Sequence, residues 1–120
     1  MTGVLSVRLP ASLESTVRLH AARAQASPSR LVSWVLGHAI HGRFNFMALK
    51  DPPQSLEAKL DIRMAEDLIS AVRNESDRME VLVSVYIRTI LYAYYTRRLI
   101  LLKEGERYTL VANDDQTKSS

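Results

Sequence analysis

Val4-Leu5-Ser6-Val7-Arg8-Leu9, followed directly by Pro10, is the run that decides how the rest of the chain is read. Leu5, Val7 and Leu9 alternate with Val4, Ser6 and Arg8. Successive side chains on a strand point to opposite faces, so the run predicts a strand with one apolar and one mostly polar side. Pro10 closes it, because proline cannot donate to a ladder but suits the opening of a helix. Residues 11–25 then place Leu13, Val17, Ala21 and Ala24 at helical spacing. Ser27-Pro28 starts a second helix, with serine as N-cap and proline in the first turn. Leu31, Val32, Val35, Leu36, Ala39 and Ile40 share one broad face of it, and Gly42 lies near its end.

The pattern breaks over residues 43–55, where Asp51-Pro52-Pro53 forbids helix. It then restarts. Leu60, Ile62 and Met64 alternate with Lys59, Asp61 and Arg63, and residues 65–75 read as a helix with Leu68, Ile69 and Val72 inward. Asp77-Arg78-Met79-Glu80 has the spacing of a capping box, which predicts a long apolar helix from about residue 78 to about 103. Side by side, Val7-Arg8-Leu9 matches Ile62-Arg63-Met64, Leu13 matches Leu68, Val17 matches Val72 and Arg18 matches Arg73. The chain therefore divides into a first repeat (1–43), a linker (44–57), a second repeat (58–103) and a tail (104–120) with a strand-like run at 107–112. With its cap at Asp77, the second repeat has a first helix about one turn shorter than the first repeat's.

A lone strand this short is not stable, but two can pair and share a helical layer. The expected fold is mainly α, with a two-stranded antiparallel ribbon over four helices. Leu5, Val7, Leu9, Leu60, Ile62 and Met64 form its inward row, and Val4, Ser6, Arg8, Lys59, Asp61 and Arg63 its outward row. Such a ribbon fits the major groove of DNA. Arginine and lysine suit guanine O6 and N7, serine donates or accepts, Asp61 suits cytosine N4, and Val4 suits a thymine methyl. The second helices aim first-turn N–H groups at flanking phosphates. Those groups lie around Ser27, Ser29 and Arg30 in the first repeat, with Arg78 and Met79 as counterparts in the second. The plainer alternative is an exposed strand on a small domain with no nucleic-acid role.

Val7-Arg8-Leu9-Pro10, an amphipathic helix, and then Ser27-x-Ser29 opening a second helix resemble the ribbon-helix-helix superfamily of Arc, MetJ and CopG repressors. The resemblance spans residues 4–40 and, more loosely, 58–95. It implies tandem ribbon-helix-helix repeats forming a pseudo-dimer within one chain, similar to TraY-type accessory proteins of plasmid conjugation. It also maps Ser6, Arg8, Asp61 and Arg63 to base-reading positions. The second repeat departs from the pattern in having Ala65 where Pro10 stands, and in carrying Asp61, an acid that weakens attraction to phosphate.

Composition narrows the function classes. The 120 residues suit one domain, or two small units sharing a core, and 47% apolar content supplies that core. Net charge is +3, of which residues 1–43 carry +4 (five arginines less Glu14). With no cysteine there is no disulfide or thiolate site. The N-terminus has no secretory pattern, and the apolar stretch 81–102 carries Arg88, Arg97 and Arg98, so a cytoplasmic protein with no membrane span is expected. That stretch reads as core, plus a contact for self-association on adjacent sites.

His20, His38 and His41 lack further ligands, so neither metal nor cofactor is expected. Trp34, Tyr86, Tyr92, Tyr94 and Tyr95 read as core or interface before base-stacking platform. Of the paired acids, Glu66-Asp67 fits a helix start and Asp114-Asp115 a polar tail. No nucleophile motif or phosphate loop is present, so the chain is not expected to be an enzyme. The expected function is sequence-specific binding of double-stranded DNA, as a repressor or as a relaxosome accessory with a relaxase among its possible partners. The alternatives are an antitoxin-like module whose segment from Leu99 onward captures a protein, and a structural oligomer.

Overall fold

The computed structural model describes residues 1–50, 52 and 55–113. Strand β1 (Thr2–Leu9) leads into helices α1 (Ala11–Arg23) and α2 (Pro28–Ile40). After a 3-10 turn at Phe46–Ala48, strand β2 (Ala58–Ala65) leads into α3 (Glu66–Arg78) and α4 (Val83–Tyr95). Strands β3 (Leu99–Glu104) and β4 (Arg107–Ala112) follow as a hairpin. The described residues form an α/β domain of four helices and two antiparallel two-stranded sheets.

β1 and β2 pair antiparallel, with Val4 opposite Arg63, Ser6 opposite Asp61 and Arg8 opposite Lys59. Leu5, Val7, Leu9, Leu60, Ile62 and Met64 are all buried, as the alternating pattern predicts. An offset of 55 residues, the separation of Ser6 and Asp61, carries α1 onto α3 and α2 onto α4, and β1 onto β2 to within one residue. All four helices are 13 residues long, so the shorter first helix expected in the second repeat is not there.

The helix ends explain that error. Gln25, Glu80 and Arg97 all have positive φ, at 55, 60 and 64°. After each, the chain turns back: Ala26 N–H donates to the Ala21 carbonyl at 2.9 Å, Val81 to Ser76 at 3.0 Å and Arg98 to Ala93 at 2.8 Å. This helix-ending loop usually takes glycine at its left-handed residue, and none of the three is glycine. The sequence therefore hides the stops. Asp77 and Arg78 end α3, Met79 is its C-cap, and α4 starts at Val83 after Leu82, so no capping box forms. Likewise α4 ends at Tyr95, not near residue 103, and residues 99–104 form β3.

The two units are interleaved. Ser29 on α2 reaches β2, where its hydroxyl accepts from Arg63 N–H at 2.9 Å and donates to the Asp61 carbonyl at 3.3 Å. Arg88 on α4, only 8% exposed, donates to the Arg8 carbonyl of β1 at 3.2 Å. Each second helix thus supports the other unit's strand, and the two share one core. The all-round apolar α4 is accommodated inside the chain, where it packs on β1, β3, α1, α2 and α3.

Leu99 and Leu110 of the hairpin are buried in the same core. Arg43 N–H donates to the Leu110 carbonyl at 2.9 Å, and its guanidinium donates twice to Glu104, at 3.2 and 2.6 Å. Residues 99–112 of the segment expected to serve as a capturing tail are therefore part of the fold. The linker also contributes, since Phe46 is buried and stacks on Tyr86 with ring centroids 5.3 Å apart. Asp51, Pro53 and residues 114–120, including Asp114-Asp115, lie outside the described residues. Among the described residues no helix is long and apolar enough to cross a membrane.

Candidate nucleic-acid interface

The period of the strands and the register of their pairing place Val4, Ser6, Arg8, Lys59, Asp61 and Arg63 on one exposed face. They form three rungs: Val4 with Arg63, Ser6 with Asp61, and Arg8 with Lys59. Ser6 and Asp61 are partners across the ribbon and also occupy equivalent places in the two units. The local two-fold axis of the ribbon therefore passes between them.

The rungs differ in chemistry. On the middle one, Ser6 Oγ donates to Asp61 Oδ1 at 2.6 Å, and Lys59 Nζ lies 3.9 Å from the same oxygen. On one outer rung two cations stand directly opposite, an arrangement that costs roughly 0.2–1 kcal/mol unless an anion covers it. The other outer rung sets Arg63 against Val4, whose side is 51% exposed. Among the described residues neither Arg8 nor Arg63 makes an ion pair, whereas Glu14, Glu104 and Glu75 hold Arg18, Arg43 and Arg78.

The flanking helix starts are unequal too. At α2, Ser27 Oγ accepts from Arg30 N–H at 3.1 Å, and the Ser29 hydroxyl is taken by β2. At this first turn stand the Ser29 N–H, the positive end of the helix dipole and the exposed Arg30 side chain. At α4 the N-cap is Leu82, which has no capping oxygen, and Val83 and Ser84 open the helix. Arg78 and Met79 do not stand there. Arg78 closes α3 and is tied to Glu75 at 2.8 Å, and Met79 caps that helix's C-terminal end. Carrying Ser27 forward by the offset already visible in Arg8 and Arg63 leads to Leu82, so the sequence did hold the signal for this helix start.

The other candidates disperse. His20 Nδ1 is hydrogen-bonded with the Tyr95 hydroxyl at 2.8 Å, and His38 packs edge-on to Trp34 with centroids 4.8 Å apart. Among the described residues no three potential ligands cluster for a metal. Tyr86 is core, and desolvation pushes its phenol up to about 12; Tyr94 and Tyr95 are also raised by burial. These rings are no stacking platform. Trp34 and Tyr108 are exposed instead, along an open groove of about 910 Å³ between α2 and the hairpin.

No protein-family model, curated protein or solved structure matches the chain.

Proposed function

We propose that this chain binds double-stranded DNA in a sequence-specific manner, laying the outer face of the β1–β2 ribbon in the major groove. In this reading the two units are tandem ribbon-helix-helix repeats that act as the two halves of a dimer within one chain, with the β3–β4 hairpin as an addition. The observation that carries it is the outer face itself. Val4, Ser6, Arg8, Lys59, Asp61 and Arg63, three of them cations, are exposed on a ribbon whose inward Leu5, Val7, Leu9, Leu60, Ile62 and Met64 are buried. A two-stranded ribbon fits the major groove, and Arg8, Lys59 and Arg63 supply donors for guanine edges. An anionic groove would also relieve the opposed Arg8 and Lys59. The helix starts of α2 and α4 supply phosphate contacts that set the register. A repressor, or an accessory protein of DNA transfer, would use such a head.

The test is binding to a randomised duplex pool, with selection of bound sequences and footprinting of the winner. A protected site of a few base pairs supports the reading, and failure to retard any duplex at low salt removes it.

A further inference from the structure

The three rungs are not related by the two-fold that relates the strands. Besides Thr2 and Ala65, which pair beyond the Val4–Arg63 rung, one strand presents Val4, Ser6 and Arg8 outward, and the other presents Lys59, Asp61 and Arg63. Equivalent positions therefore pair Val4 with Lys59, Ser6 with Asp61 and Arg8 with Arg63. Only the last of these keeps its chemistry. One end of the ribbon carries two cations and the other carries a cation beside a valine.

From this we infer that the chain reads a non-palindromic duplex site, with one chain per site and a fixed direction along the DNA. The inference rests on the DNA-binding reading above and adds the class of site. The Arg8–Lys59 end takes adjacent guanines, because both side chains donate to O6 and N7. The Val4–Arg63 end takes a guanine beside a thymine, whose methyl meets the valine. The middle rung is asymmetric in itself: Asp61 accepts and Ser6 donates, and the acid repels any phosphate or base acceptor placed on its side. The helix starts set the same direction. Ser29 of α2 is bonded to β2 between Asp61 and Arg63, so the end with the Ser27 cap and Arg30 is the Val4–Arg63 end. Arg88 of α4 is bonded to β1 at Arg8, so the helix with Leu82 as its N-cap serves the two-cation end.

Two substitutions on the exposed face make these three rungs symmetric. V4K with D61S gives Lys-Ser-Arg on both strands while leaving the buried row untouched. Wild type and this double variant would each be put through selection from a randomised duplex library. The stoichiometry of each complex would be measured by sedimentation, and the fold of the variant checked by circular dichroism.

Wild type is expected to enrich a non-palindromic consensus at one chain per duplex. It should bind an inverted repeat of either half roughly tenfold more weakly or worse. The double variant is expected to enrich an inverted repeat. A palindromic consensus for wild type overturns the inference while leaving DNA binding intact, as does a variant consensus as lopsided as the wild type's. If the variant fails to fold, the symmetry of the wild-type consensus decides alone. If wild type enriches no duplex at all, the reading beneath the inference falls and takes it along.

Discussion

Ser6 and Asp61 face each other at the centre of the ribbon, joined by a 2.6 Å hydrogen bond from hydroxyl to carboxylate. The same carboxylate lies 3.9 Å from the Lys59 ammonium, so the one acid of the outer face is partly neutralised by its own neighbours. Asp61→Asn keeps the shape and removes the charge. Both partners are exposed, so unfolding in urea should shift by less than about 1 kcal/mol. Affinity for random duplex at low salt should rise by roughly threefold, because one repulsive charge leaves a surface held by phosphate attraction. Fluorescence anisotropy of a labelled duplex checks this.

Arg8 and Arg63 are the outward cations without an acid partner among the described residues. Replacing either by alanine should weaken binding to a selected site by about 1–3 kcal/mol and relax base preference at one position. Binding should also fall steeply with salt. Arg78→Ala, by contrast, removes a surface pair with Glu75 at the end of α3 and should leave duplex affinity within about twofold. Parallel titrations of the three variants check all of this.

Gly42 marks where the hairpin meets the first unit. A methyl group there would sit 2.7 Å from the Leu110 carbonyl and 2.6 Å from the Phe44 ring. Backbone cannot give way as a flexible side chain does, so Gly42→Ala should push β4 off and cost roughly 1–3 kcal/mol. Urea denaturation measures the loss. Hydrogen exchange should show it first at Arg43 N–H, which bonds to the same carbonyl.

The buried tyrosines set an alkaline limit. Tyr86 ionises near 10.0 when unfolded, and burial pushes it up to about 12 in the fold. Between those values the unfolded chain has lost a proton that the folded chain keeps, so stability is full below pH 10 and falls as pH rises toward 12. The loss from Tyr86 alone is of order 2–3 kcal/mol, and the raised Tyr94 and Tyr95 act in the same direction. Denaturation midpoints from pH 9 to 11.5 should decline, and Tyr86→Phe should make the decline shallower.

At the acidic end, Arg43 holds the Glu104 carboxyl below its ordinary value. That contribution is present above the unfolded value of 4.5 and is lost as pH falls through the lower folded value. Fraying of the hairpin, seen as faster exchange in β3 and β4, is expected to begin there.

The ribbon and the core were legible because they rest on periodicity. Leu5, Val7, Leu9, Leu60, Ile62 and Met64 alternate with polar neighbours, and alternation reports which face is buried. The first turn of α2 was legible because Ser27-Pro28 is a local signal. The ends of α3 and α4 were not, since Glu80 and Arg97 adopt the left-handed conformation without glycine and are held there by contacts that local propensity does not report. The hairpin was half seen. Residues 107–112 read as strand, but β3 follows so closely on α4 that its apolar residues read as helix. Phe46 lies in a stretch with no periodicity at all, and only the tertiary contact with Tyr86 makes it core.

Contact between duplex DNA and the outer face of β1 and β2 can be read residue by residue. The most direct measurement is a titration of the isotope-labelled full chain with its selected duplex, followed by backbone amide NMR. The largest changes are expected at residues 2–9 and 58–65 and at the first turns of α2 and α4. Changes centred on the groove between α2 and the hairpin, with the ribbon amides unmoved, would contradict that contact.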